Sequence, residues 1–388
     1  MDKQSLIKLA DTLEERMFAL ACDIFDHPEV GLQEFHATKV LTTCLEDLGF
    51  AVERNIADLP TAFRATWENG SGGVHIGILG EYDALAAKGH ACGHHLQTPA
   101  AIATLWALRE ALKDTQIPVK LSLYGTPGEE TGGGKVIMAN KGFFRELDIC
   151  LATHSTRKAG FVSIGSLASH GRVVRFHGKS AHAAGSPWMG RSAMDAMLLT
   201  FQGLEFLREH IKDGSRIMYS ICQAIGPSNV VPQYAECHIN MRSTDNSYLP
   251  ELVERVEKVI KGACMMTDTT YEITERNTYL ARKPNYTLGE LCLENYRLLG
   301  IPVAEPTHRR SGGSSDVGNV SVLVPTAGIY APYVDAPSHS DAWVEGGKTE
   351  DARSCMRGFT HMLIAMSCDL IDNPDIVKKA KEEFDKTN

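Results

Sequence analysis

The sequence predicts an α/β protein: a catalytic domain on a mixed, mostly parallel sheet, interrupted by an inserted ferredoxin-like (β-α-β-β-α-β) domain. Three observations carry this prediction. Up to residue 168, short apolar runs alternate with amphipathic helical stretches, the pattern of a parallel sheet with helical crossovers. From 169 to 279 the order becomes strand, helix, strand, strand, helix, strand, which folds as a small sheet with two helices on one face. From 280 to 388 the α/β pattern returns. Residues 1–168 and 280–388 are therefore expected to form one domain around an insertion at 169–279. A chain of 388 residues is also too long for one ordinary core.

The elements follow in order. Leu6, Leu9, Leu13, Met17, Leu20 and Ile24 recur at helical spacing, so helices are expected over 3–25 and then 35–48. Val74–Leu79 reads as a strand running into Gly80-Glu81-Tyr82-Asp83. Residues 98–113 read as a helix with Pro99 in its first turn. Val119–Tyr124 is a strand ending at Gly125-Thr126-Pro127-Gly128-Glu129-Glu130, and Asp148–Thr153 is another ending at His154. In the insertion, strands are expected at 171–177, 216–225, 233–242 and 270–275, with helices at 191–211 and 248–263. A helix at 287–298, a strand at 322–330 and a last helix complete the chain.

Composition narrows the function. Hydrophobic residues make up 43% and charged residues 22% of the chain, values of a soluble globular protein. No apolar run approaches the ~20 residues that cross a bilayer, so no membrane partner is expected. Met1-Asp2-Lys3-Gln4 leads into an amphipathic stretch and does not read as a signal peptide. A net charge of −9 disfavours nucleic acid, whose phosphates need a basic surface. Ten cysteines are scattered without C-x-x-C pairs, which suits buried thiols in a cytoplasmic protein.

Four polar clusters stand out: Cys92-Gly93-His94, Glu129-Glu130, His154 and His339. All are residue types that ligate transition metals. Strands of one parallel sheet end on a common edge, where ligands distant in sequence can meet. On a Pro/Gly-rich turn the two glutamates need not point apart; one can ligate while the other takes a proton from water. Two close carboxylates also raise one pKa. Asp83, after the first strand, is placed to orient a ligand. Together the clusters supply Cys, two Glu and three His, about what two ions sharing a water require. Taken one at a time, each also reads as a buried thiol, a solvated acid pair or a structural histidine. Gly132-Gly133-Gly134-Lys135 is not a phosphate loop, since Glu129 stands where Gly is required and Val136 where Ser or Thr is required.

These stretches, with His27-Pro28-Glu29-Val30-Gly31 and Glu34, Gly178-Lys179-Ser180-Ala181-His182-Ala183, and Gly313-Ser314-Ser315-Asp316-Val317-Gly318-Asn319, span nearly the whole chain. In that order it resembles the aminoacylase/carboxypeptidase family of co-catalytic metallopeptidases. It looks closest to the amidohydrolase branch of auxin-conjugate hydrolases, aminobenzoyl-glutamate hydrolases and dipeptidases. The resemblance implies two divalent ions held by Cys92, His94, Glu130, His154 and His339, with Glu129 as general base. Zinc or manganese is expected, with nickel or cobalt as other candidates. It implies a homodimer through the inserted domain, in which His182 helps hold the substrate carbonyl oxygen in the partner subunit. Asn229 and Arg242 match lid positions that grip the substrate, Arg242 being suited to a carboxylate. Two departures are His95, where relatives carry Asp or Asn, and Ala86-Ala87 in place of a proline-containing turn.

The expected activity is hydrolysis of the amide bond of N-acyl or N-aroyl amino acids with a free carboxylate, with a dipeptide as the alternative substrate. Two rivals differ in class: a cysteine hydrolase using Cys92, which leaves the other clusters without a joint purpose, and a non-catalytic binding protein on the same scaffold. Arg309-Arg310 fit either an acidic side chain or solvent.

Overall fold

The computed structural model describes residues 1–386. Its strands are β1 (Ala51–Arg54), β2 (Phe63–Asn69), β3 (Val74–Gly80), β4 (Val119–Gly125), β5 (Ile149–Thr156), β6 (Gly160–Ser163), β7 (Ala168–His177), β8 (Arg216–Gln223), β9 (Tyr234–Ser243), β10 (Thr270–Glu275), β11 (Val303–Arg309) and β12 (Thr326–Pro332). The chain divides into two compact units. One comprises Met1–Gly165, Arg282–Ser311 and the residues from Ser315 onward; the other comprises Ser166–Ala281 with Gly312–Ser314.

In the first unit six strands lie in the order β1-β2-β4-β3-β5-β12. β4, β3, β5 and β12 run parallel, while β2 and β1 add an antiparallel edge. The sheet is mixed and mostly parallel. β3, β4 and β5 are buried along nearly their whole length, so helices cover both faces and the strands read as continuous apolar runs. The helix Gln97–Leu112 is buried almost all round, as is most of Glu350–Asp372. The parallel arrangement brings the C-terminal ends of β4, β3, β5 and β12 to one edge. β6 and β11 form a separate parallel pair.

The second unit is an antiparallel sheet in the order β10-β7-β9-β8. The helices Ala193–Arg208 and Leu249–Thr267 pack on one face, around Val174, Phe176, Ile217, Ile239 and Met241. Buried and part-exposed residues alternate strictly along β9, as a strand with one open face requires.

Several elements differ from expectation. The first helix breaks into Lys3–Asp11 and Glu14–Asp26, where the Thr12 and Leu13 N–H groups bond the Leu9 and Ala10 carbonyls three residues back. β5 runs on to Thr156 beside β12, so His154 lies within a strand and not after it. The expected strand 322–330 starts at Thr326, after a short helix Val317–Ser321. β1, β2, β6 and β11 are additional to the strands that the sequence predicts.

Leu123 sits fully buried in β4 between β2 and β3. Leu123→Ala should cost about 2–5 kcal/mol, read as a lower urea midpoint at unchanged slope; a midpoint within error of the wild type would contradict this packing.

Candidate metal centre

The residues after β3 and β4, those of β5 and the loop after β12 meet at the sheet edge. Sγ of Cys92 and ring nitrogens of His94 and His154 lie within 4.8 Å of one another, and so do the ligand atoms of Cys92, Glu130 and His339. Those of His94, Glu129 and Glu130 form a third such group. Cys92 belongs to two of the groups. The residues marked as ligands in the sequence are thus brought together, with Glu129 among them.

Local backbone explains how neighbours converge. Gly93 has φ +79 and a Cβ there would meet the Ser155 hydroxyl at 2.5 Å, so only glycine lets Cys92 and His94 turn toward one point. Gly128, before Glu129, has φ +71. His339 also adopts a left-handed conformation (φ 64), and its N–H donates to the Ala91 carbonyl at 3.0 Å. That bond ties its loop to the Cys92 loop.

Hydrogen bonds then aim the donor atoms. His94 Nδ1 contacts Asp83 Oδ1 at 2.9 Å, leaving Nε2 turned inward. Asp83 Oδ2 accepts the backbone N–H of Glu130 at 2.9 Å, so one buried carboxylate orients two candidate ligands. His154 Nδ1 donates to the Ser155 carbonyl at 2.8 Å, and its Nε2 lies 3.5 Å from Cys92 Sγ. His94 Nε2 and Glu130 Oε1 are buried without a directed hydrogen bond, although Glu81 and His339 stand 3.2 and 3.5 Å away. Orphaned imidazole and carboxylate atoms beside a thiol fit divalent cations of the zinc group.

The charge pattern is uneven. Burial pushes the Cys92 thiol up to about 12, so a bound cation must displace its proton. Burial opposes a charge on His94, but Cys92, Glu81 and Asp83 outweigh it and raise its pKa. Burial, with Glu81 and Asp316, raises the Glu129 carboxyl well above the usual range. For Glu130 burial is outweighed by the attraction of the nearby His339 and His94, and its pKa falls. The two adjacent glutamates are thus pushed in opposite directions by their neighbours.

Several residues of this site escape sequence reasoning. Lys135 is fully buried and its Nζ lies 2.7 Å from Glu81 Oε1 and 2.8 Å from Asp316 Oδ1. Glu81 Oε2 also accepts from Gln97 at 2.7 Å. Glu34 is buried; its carboxylate accepts the Gly128 N–H at 2.8 Å and the Thr61 hydroxyl at 2.9 Å. A lone lysine opening the apolar run Val136-Ile137-Met138 is the available signal for the first. His95, by contrast, packs on Phe25 and His90 and reaches the Gly347 carbonyl at 2.9 Å.

His182, Asn229 and Arg242 lie in the second unit. His182 is exposed, and its Nδ1 accepts from Ala184 and Gly185 N–H at 3.2 and 3.1 Å, which leaves Nε2–H as a donor. Its neighbour Ala183 donates to the Asn229 carbonyl at 2.9 Å, bringing His182 and Asn229 side by side. Arg242 lies on β9, half-buried. Arg309 donates to the carbonyls of Pro306 and Glu305.

Fold and site together are those of a metal-dependent hydrolase. A model of the peptidase dimerisation domain matches residues 165–265. The human Xaa-Arg dipeptidase is 32% identical over 397 residues, covering 96% of this chain and 90% of that protein. A p-aminobenzoyl-glutamate hydrolase polypeptide of Escherichia coli K12 is 36% identical over 306 residues, 74% of this chain and 63% of that one. Among solved structures, a Bacillus subtilis dinuclear metal binding peptidase of the M20 family superposes with TM-score 0.67 at 18% identity, covering 92% of this chain and 99% of that one. The chain belongs to the M20 family of metallopeptidases and amidohydrolases, and it is a hydrolase of amide C–N bonds.

Burial pushes the Glu34 carboxyl up to about 7 from 4.5, with Asp83 adding to the effect. Its contribution to stability is thus fully present below the unfolded value and lost as pH rises through the folded one. Urea midpoints of Glu34→Gln should accordingly vary less than wild type between about pH 5 and 8; parallel pH profiles would exclude this role.

Proposed function

We propose that the protein cleaves the amide bond of N-acyl or N-aroyl amino acids bearing a free carboxylate, using two divalent ions and Glu129. The observation that carries this reading is the convergence of Cys92, His94, Glu130, His154 and His339, with the buried Glu129 carboxyl beside His94 and Glu130. Bound divalent ions supply Lewis acidity to the scissile carbonyl and acidify a water. The mixed thiolate, imidazole and carboxylate set favours zinc or manganese.

Glu129 takes a proton from the attacking water and returns it to the leaving amine. Burial and the carboxylates of Glu81 and Asp316 raise its proton affinity, the direction that suits exchange near neutrality. Asp83 holds the His94 ring and the Glu130 backbone in register. His182 Nε2–H serves as donor to the substrate carbonyl oxygen across a homodimer, and Asn229 and Arg242 grip the substrate, Arg242 through its carboxylate. A dipeptide is the second reading, supported by the full-length similarity to the Xaa-Arg dipeptidase. We place the protein in the cytoplasm, supported by ten cysteines of which eight are buried thiols. In the described residues no helix is long and apolar enough to cross a membrane.

Glu129→Gln should retain both ions by metal analysis while kcat falls by roughly 10²–10⁴. Full turnover in a metal-replete variant would remove Glu129 from the base role. A panel of N-acyl amino acids and dipeptides, assayed after chelation and metal return, separates the two substrate readings; activity surviving complete metal removal would favour a thiol mechanism.

The homodimer is supported by apolar exposure in the second unit. Leu198 and Phe206 on the helix Ala193–Arg208 are 46% and 75% exposed, and β8 is a sheet edge with unpaired backbone groups. Leu198→Glu with Phe206→Glu should sediment as a monomer, and a persistent dimer would place the interface elsewhere.

A further inference from the structure

A second set of metal-ligating side chains lies outside the cluster around Glu129. Asp23, in the last turn of the helix Glu14–Asp26, and His27, its C-cap, are four residues apart and share one helix face. The chain then turns through Leu32, which adopts φ 66, and enters the helix Phe35–Asp47. The Glu29 carboxylate accepts the N–H groups of His36 and Ala37 at 2.9 and 3.0 Å. Satisfying these free helix-start donors fixes His36 beside Asp23.

A ligand atom from each of Asp23, His27 and His36 lies within 4.8 Å of the other two. His36 Nε2 stands 2.8 Å from Asp23 Oδ2, and His27 Nδ1 stands 3.5 Å from Asp23 Oδ1. Four-coordinate zinc with bonds of about 2.0–2.1 Å holds its ligand atoms roughly 3.3 Å apart. The two imidazoles thus already flank the carboxylate at ligand spacing, with ring centroids 4.1 Å apart. His27 Nδ1 also reaches the Asp23 backbone carbonyl at 2.8 Å, and a bound cation takes the place of that ring proton. Among the described residues no lysine or arginine lies within ion-pair distance of Asp23, which faces imidazoles alone. A comparable trio, Cys222, Glu236 and His238, differs: its carboxylate is taken by Arg175 at 2.8 Å and Tyr234 at 2.9 Å. The side chains of Asp23, His27 and His36 are 41, 54 and 33% exposed, so an ion reaches them from solvent.

We propose that Asp23, His27 and His36 bind one divalent transition-metal ion, at a site that shares no residue with the catalytic cluster. Two imidazoles and a carboxylate suit zinc, nickel, cobalt or copper; magnesium and calcium require mostly oxygen ligands. Three protein ligands leave one coordination position for water. The ion clamps the end of one helix to the start of the next. The segment between them supports the catalytic loops: the Glu29 carbonyl accepts the Ala84 N–H at 2.8 Å, next to Asp83, and Glu34 holds Gly128. The ion therefore braces that segment and takes no part in the reaction. The site stands on its own three side chains and does not depend on the amidohydrolase reading above.

Equilibrium dialysis of the full-length protein against micromolar free zinc, followed by metal analysis, tests it. The wild type should hold one zinc ion per chain more than a His27→Gln/His36→Gln variant, whatever number each holds elsewhere. Equal zinc counts overturn the proposal, and a difference seen with magnesium alone overturns the transition-metal assignment. Anomalous diffraction at the zinc edge then locates the ion in crystals equilibrated with the same zinc concentration. A peak is expected between Asp23, His27 and His36 in the wild type, and the variant should lose that peak and no other. A wild-type map without it overturns the proposal even where the double variant fails to fold. So does a variant that loses density at Cys92 and His94 instead, which assigns the two histidines to structure. A wild-type protein that holds zinc at Asp23 yet cleaves no N-acyl amino acid supports the site and counts only against the proposed reaction.

Discussion

The arrangement depends on one buried cation. Lys135 lies between Glu81 and Asp316 with no exposure to water, and it draws together three separate segments: the turn after β3, the start of the helix Gly134–Asn140 and the start of the helix Val317–Ser321. Isolated, two buried carboxylates this close to Glu129 would repel and take up protons. With Lys135 present, Glu81 is held at about 2 and stays charged beside His94. Removing one partner from such a pair leaves an uncompensated buried charge, typically worth about 3–5 kcal/mol. The pocket is therefore a balance of charges before it is a set of ligands.

Around that cluster the supporting groups are mostly carboxylates, each with a different task. Asp83 sets the tautomer of His94 and pins the Glu130 backbone. Glu34 holds the turn at Gly128 from the opposite side. Glu81 and Asp316 raise the proton affinity of Glu129 while His339 lowers that of Glu130. Chemically identical side chains at adjacent positions thus diverge through their neighbours alone. The proposed base and the proposed ligand make opposite demands on a carboxylate.

Much of this is legible in the chain. The apolar runs of β3, β4 and β5 and the acid, thiol and imidazole residues beside them point to a shared sheet edge, because burial on both faces leaves a strong periodic trace. What the sequence does not disclose has physical reasons. β1 and β2 form an antiparallel edge and carry Glu53, Arg54, Arg64 and Glu68, so their hydrophobic signal is weak. The break between the first two helices is one tightened turn at Thr12 and Leu13, which apolar periodicity does not register. His154 sits inside β5 because pairing with β12 prolongs the strand, a long-range effect. Lys135 reads in sequence only as the end of a glycine run. A buried lysine is recognised by its partners, and Glu81 and Asp316 lie far from it in sequence.

The discontinuous layout of the first unit has a consequence for biosynthesis. Cys92, Glu130 and His154 leave the ribosome early, but β12, Asp316 and His339 emerge only after the inserted unit has been translated. Domains generally fold as units during synthesis, and residues 166–281 include nearly all of the second unit's own core. A nascent chain that ends before β12 therefore carries the whole of residues 166–281 while the first unit's sheet still lacks its last strand.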